Sequence, residues 1–247
     1  MTNKHTGENI RDYESRKFMK KKGNILIIGD THIPYVHPDY LKFCKKIEKD
    51  FNCTRVVHIG DILDNHSMSY HEHVPELDSP RAEMDMSDNI LKKWFKAFPE
   101  LDICIGNHDA LPDRKMRTAG LPLRYLKAYK EALGAPAGWN WHQEFELDGV
   151  LFRHVPLGYT LSAMLRGAEH LSQNMVCGHV HSVGGVAYSA NNKQLFFAMA
   201  VGCGVDRHAL AFDYGKTNKF KPVLGCGVVY EGGRTAEFIP MDLGRMS

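Results

Sequence analysis

The chain has 247 residues, of which 43% are apolar and 24% charged, with a formal charge of +2. That balance excludes a disordered protein and suits one large domain with a well-buried core. The small charge names no nucleic-acid or membrane partner by itself, and no run reaches the roughly 18 apolar residues of a spanning helix.

Residues 1–22 are polar and end in Lys20, Lys21 and Lys22. They lack an apolar secretory core and read as a solvated helix or tail, with a nucleic-acid arm as the alternative. Residues 23–247 are expected to form a single domain. It opens with NILIIGDTHIPY (24–35), a buried strand, a glycine, then Asp30 and His32. Residues two apart share a face of extended chain, so both side chains can address one object. A helix follows in HPDYLKFCKKIEKDF (37–51), with Leu41, Cys44, Ile47 and Phe51 as its stripe. RVVHIGD (55–61) repeats the strand–glycine device and ends at Asp61. The polar stretch 65–81, with His66, His71 and His73, reads as a loop at the mouth of a site or as plain solvated chain. RAEMDMSDNILKKWFKAFPE (81–100) is a second helix.

LDICIGNHD (101–109) brings Asn107 and His108 to a third strand end, and NMVCGHVH (174–181) brings His179 and His181 to a fourth. Between them His154 closes the strand VLFRH. ALPDRKMRTAG (110–120) offers Arg114, Lys115 and Arg117 as phosphate-facing cations, against the plainer account of a solvated face. Strand, helix, strand, helix, strand implies a parallel βαβ series whose carboxyl ends gather a site on one sheet edge. The second half, with GGVAYSA, KQLFFAMAVG, PVLGCGVVYE and AEFIP around a helix in LSAMLRGAEHLSQ, reads as strands joined by short turns. The expected class is α/β, with two packed mixed sheets and helices outside.

Carboxylate, imidazole and amide oxygen without thiolate suit Mn, Fe or Zn. Two ions about 3.5–4 Å apart are the usual clamp for the attacking and leaving oxygens of a phosphate ester. D-x-H (Asp30, His32), GDxxD (Gly60, Asp61, Asp64), GNHD (106–109), the strand-end His154 and GHxH (Gly178, His179, His181) occur in that order. Over residues 24 to about 205 the sequence resembles the calcineurin-like metallophosphoesterases. The resemblance implies a four-layer α/β/β/α sandwich and two divalent ions, Mn first, with Fe, Zn or Ni as alternatives. It assigns Asp30, His32, Asp61 and His181 to one ion, and Asp61, Asn107, His154 and His179 to the other, Asp61 bridging. It further implies a bridging hydroxide as nucleophile, His108 as proton donor or phosphate stabiliser, and Asp64 orienting His108, with Asp109 as the alternative orienter. Two departures stand out. RHVP lacks the glycine that often follows the fourth motif's histidine, and GDILDNHS lacks the arginine of protein Ser/Thr phosphatases.

The implied activity is a metal-dependent phosphoesterase leaning to phosphodiester, nucleotide or nucleic-acid substrates. A phosphomonoesterase is the alternative, and a non-catalytic metal-binding protein the remote one. Six cysteines without a CxxC pair point to a reduced, cytoplasmic setting and no membrane. His58 is expected to be a satisfied core residue, and His5, His37, His142 and His170 surface ones.

Overall fold

The computed structural model describes residues 23–70, 79–209 and 219–243. The lead 1–22 and the loop histidines His71 and His73 lie outside the described residues. In chain order the first half holds β1 (Asn24–Ile28), α1 (Tyr40–Asp50), β2 (Cys53–His58), α2 (Pro80–Ala97), β3 (Glu100–Cys104), α3 (Leu111–Thr118), α4 (Tyr129–Ala132) and β4 (Gly138–His142). The second holds β5 (Glu144–Leu147), β6 (Val150–Arg153), α5 (Leu161–Leu171), β7 (Asn174–Cys177), β8 (Gly184–Ala190), β9 (Leu195–Val201), β10 (Gly225–Val229) and β11 (Ala236–Pro240).

In β1 every side chain from Ile25 to Ile28 is fully buried. A strand apolar on both faces needs cover on both, and alternate side chains go to opposite sides. Leu26 and Ile28 enter one core with Tyr40, Cys44 and Ile47 of α1 and Leu91 and Trp94 of α2. Ile25 and Ile27 enter another with Val57, Phe152, Phe197 and Met199, which joins the two sheets face to face. On the outer face of the second sheet, Met164 and Ala168 of α5 pack on Met175, Ala198 and Ala200. Helices, sheet, sheet and helix give the expected four-layer α/β/β/α sandwich.

Both sheets are mixed. The first runs β11-β10-β1-β2-β3-β4, parallel from β1 to β4 and antiparallel at β10 and β11. The second runs β5-β6-β7-β9-β8, with parallel pairs β6–β7 and β7–β9. The expectation of one sheet edge is therefore corrected. β1, β2 and β3 deliver the first candidate ligands from one sheet, and β6 and β7 deliver the last from the sheet facing it.

Helix α2 starts as its sequence directs, with Pro80 in the first turn and the Ser79 hydroxyl accepting from the Ala82 N–H. In α1 the buried stripe is led by Tyr40 rather than Leu41, because the tyrosine has polar partners inside. Its hydroxyl donates to the Gly225 carbonyl at 2.6 Å and accepts from the Gly29 N–H at 3.0 Å. One side chain thus ties β10 to the turn that opens the site. Tyr40→Phe leaves both backbone groups buried without that partner, at about 1–3 kcal/mol. At about 2–4 °C per kcal/mol for a domain of this size, a thermal melt should fall by about 5 °C. An unchanged melt would show that the two groups find other partners.

None of the six cysteines forms a disulfide. Among the described residues no helix is long and apolar enough to cross a membrane.

Candidate metal centre

Each candidate ligand sits one to four residues beyond its strand, where the chain turns tightly. His32, Asp61 and His179 hold φ of 46°, 51° and 68°, a left-handed conformation that non-glycine residues seldom adopt outside functional turns. Glycines make the close approach possible. A Cβ on Gly106 would strike the Asp61 carboxylate, and one on Gly178 would strike that of Asp30. The loops after β1 and β2 are laced together by Thr31 and His32 N–H groups on the Asp61 carbonyl and Ile33 N–H on that of Ile62.

All seven residues converge. His181 Nε2 lies 3.1 Å from Asp30 Oδ2 and 3.1 Å from His32 Nε2. Asn107 Oδ1 lies 3.0 Å from His154 Nε2 and 2.8 Å from His179 Nδ1. Asp61 Oδ2 falls between the two groups, 3.1 Å from His154 Nε2 and 3.6 Å from His32 Nε2. Asp30 with His32 and His181, and Asp61 with His154 and His179, each bring ligand atoms within 4.8 Å of one another.

The donor chemistry fits divalent cations. His154 Nδ1 lies 3.0 Å from the Ile59 carbonyl, which can only accept, so that nitrogen carries the proton. In a neutral ring Nε2 is then a lone pair, aimed at the Asn107 and Asp61 oxygens. Such a meeting of acceptors needs positive charge within it. Without a metal the ring itself supplies the charge. Burial opposes protonation, yet the Asp61 and Asp30 carboxylates outweigh it and push His154 up to about 10. Likewise burial raises Asp61, but the adjacent histidines, His154 foremost, hold it well below the usual carboxylate range. Asp30 Oδ1 is buried with no hydrogen-bond partner among the described residues, which fits a divalent cation as its partner.

Supporting contacts aim the ligands. His32 Nδ1 donates to Asp64 Oδ1 at 2.6 Å, and burial holds the ring neutral, leaving Nε2 to face the centre. Asp64 was expected to orient His108, and it reaches that residue chiefly through its backbone. His108 Nδ1 donates to the Asp64 carbonyl at 2.6 Å, while the carboxylate stays 3.4 Å away. The His108 ring stands edge-on to His32 with centroids 4.5 Å apart, and the His108 backbone N–H donates to Asp61 Oδ1 at 2.8 Å. Burial lowers its pKa, but Asp61 and Asp64 outweigh that and raise it. Among the described residues Asp109 makes no hydrogen bond or ion pair with the His108 ring. It accepts from the N–H groups of Ile62, Leu63 and Gly106, pinning the second motif's loop to the third.

His58 is the satisfied core histidine expected. Its Nδ1 accepts from Gly60 N–H, and Nε2 meets the Thr31 hydroxyl, which donates on to the Ile62 carbonyl. His170 is exposed, whereas His37 and His142 are half-buried, His142 with its ring tilted against Phe145 at 4.9 Å, correcting their surface placement. Two contributors were not anticipated. Asn65 donates its side-chain amide to the His108 carbonyl at 3.0 Å. Glu83 of α2, buried, accepts from the His66 and Ser67 N–H groups and the Ser67 hydroxyl, fixing the short turn His66–Met68. A glutamate followed four residues later by serine on an otherwise apolar helix stripe was the signal available.

The family model for calcineurin-like phosphoesterase matches residues 23–183. The sequence matches no curated protein. Among solved structures, similarity is found to vacuolar protein sorting 29 from Cryptosporidium parvum, at 12% identity over 84% of this chain and 85% of that one, TM-score 0.44. The phosphoesterase YfcE from E. coli is similar at 13% identity over 83% and 87% of the two chains, TM-score 0.39. The nuclease MPE from Pseudomonas putida is similar at 14% identity over 87% of each, TM-score 0.36.

Proposed function

This chain belongs to the calcineurin-like phosphoesterase family, and from that premise we propose that it hydrolyses phosphate esters, phosphodiesters or nucleotides before monoesters. The observation that supports this most directly is Asp61 Oδ2 between His154 and His32, one carboxylate within reach of both ligand groups. On this reading Asp30, His32, Asp61 and His181 would hold one divalent ion, and Asp61, Asn107, His154 and His179 the other. Mn²⁺ is the first candidate, ahead of Fe, Zn or Ni. When bound, such ions supply Lewis acidity toward phosphoryl oxygens and bring the pKa of water into the neutral range.

The remaining chemistry belongs to the chain. The Asp64 carboxylate and the Ile59 carbonyl fix the tautomers of His32 and His154, so lone pairs rather than N–H groups face the centre. His108 commits its Nδ1 proton to the Asp64 carbonyl, which leaves Nε2–H as the proton to pass to the departing oxygen. Where protein Ser/Thr phosphatases have an arginine, Asn65 turns its amide to the His108 carbonyl. That residue braces the acid instead of gripping a phosphate, which favours the diester reading over a protein phosphatase.

The test is to strip the protein of metal, resupply Mn²⁺, and follow bis-p-nitrophenyl phosphate and p-nitrophenyl phosphate side by side. Stripping should abolish turnover and Mn²⁺ should restore it, with the diester cleaved faster. Faster monoester cleavage would move the assignment to a phosphatase. Metal uptake with neither reaction would favour a non-catalytic binding protein.

A further inference from the structure

On the His108 side of the centre lies a surface that hydrolysis of a small ester does not use. Helix α3 begins three residues after His108 and presents Arg114 and Lys115. Both stand over the ring of Tyr70, Lys115 Nζ at 3.9 Å and Arg114 Cζ at 5.0 Å from its centroid. The Tyr70 hydroxyl lies 3.0 Å from Thr118 Oγ1, and Lys115 Nζ donates to the Ser69 carbonyl at 3.4 Å, so two hydrogen bonds hold the assembly besides the two ring contacts. The Tyr70 ring is still 49% exposed. On α1 and α2, Lys45, Lys46 and Arg81 are matched with the carboxylates of Glu48, Asp50 and Asp85. Arg114 and Lys115 have no such ion pair among the described residues, and an aromatic ring takes the carboxylate's place. At the other end of the ligand array, Tyr159 is 63% exposed with its ring centroid 6.0 Å from that of His179.

We propose that Tyr70, Arg114 and Lys115 form a track for a single strand of nucleic acid entering the metal centre, with Tyr159 receiving a base at the His179 end. The inference rests on the phosphodiester reading above and names its substrate class. The Arg114 and Lys115 cations offer charge to successive backbone phosphates, and exposed rings offer stacking faces to bases of any identity. A duplex keeps its bases stacked on one another and would leave both rings unused. A phosphopeptide calls for clustered bidentate arginines and gives the rings no role.

The probe is a fluorescein-labelled phosphorothioate oligothymidylate of about 12 nucleotides, within the span such grooves cover, followed by anisotropy on the metal-loaded protein. Arg114→Ala with Lys115→Ala should weaken binding at least about 10-fold and flatten the salt slope by about 1.4, two phosphates at about 0.7 each for single strands. Tyr70→Ala and Tyr159→Ala should each cost about 10-fold, and Tyr70→Phe about twofold or less. Lys92→Ala with Lys93→Ala, which removes equal charge from exposed positions on α2, should bind as the wild type. Thermal melts of every variant check that it is folded. The track is overturned if the wild type does not bind the strand, if the α3 variant matches the α2 control, or if a phosphoserine peptide of equal charge binds more tightly. Bis-p-nitrophenyl phosphate separates the two readings. If it is not cleaved, the diester assignment fails, whereas cleavage with no strand binding removes the track alone.

Discussion

Asp61→Asn is expected to empty both metal positions together. The two carboxylate oxygens have separate duties, Oδ1 accepting the His108 N–H and Oδ2 lying between His154 and His32. An amide of the same shape can keep the first contact but removes the anionic charge common to both ligand groups. Loss of a supporting contact typically costs 10- to 100-fold in metal affinity, and loss of the charged ligand itself should cost about 100-fold or more for each ion. After dialysis against trace Mn²⁺, metal analysis should find close to two equivalents on the wild type and close to none on the variant, with turnover lost in step. One retained equivalent would place Asp61 on a single ion.

His108→Ala should keep its metal and lose turnover by about 10²- to 10⁴-fold, the usual contribution of a positioned proton donor. His108 is not itself one of the seven candidate ligands, and its ring is anchored by the Asp64 carbonyl and packed edge-on against His32. The size of the loss should track the leaving group. A p-nitrophenolate departs without a proton, so the variant should lose least there and most on an alkyl or nucleoside ester. Equal losses across leaving groups would assign His108 to charge stabilisation at the phosphate rather than proton transfer. Loss of metal would overturn the role altogether.

The candidate ligands were readable from the sequence because each is a local statement: an apolar strand, most often a glycine, and a polar side chain with no reason to follow one. Asp30, Asp61, Asn107 and His179 needed no knowledge of the partner strand. His154 was also readable, although its motif lacks the usual glycine, because the strand before it is strongly apolar. What stayed hidden was distant in sequence or too short to show a period. Asp64 and His32 are 32 positions apart, and nothing local tells a carboxylate on an imidazole from a carbonyl on one. Glu83 meets its turn 16 and 17 residues away. β4 and β5 are five and four residues long, so the alternation of Trp139, Trp141, Phe145 and Leu147 had little room to repeat. The eight-residue α3 follows the ligand loop so closely that its charges read as a loop's.

The family model ends at residue 183, yet the sheet that carries the first ligands is finished by residues far beyond it. Ile25 to Ile28 pair with Cys226 to Val229 of β10, which β11 then shields. A protein trimmed to the matched span would present β1, apolar on both faces, as a bare edge with its backbone amides open to any extended chain. Bare edges of that kind recruit other molecules. Such a fragment should therefore sediment as aggregate where the full chain stays in solution, and sedimentation of the two side by side would decide it. The first candidate ligand loops are written early in the chain, but its last strands keep the strand that carries them from becoming a nucleus for self-association.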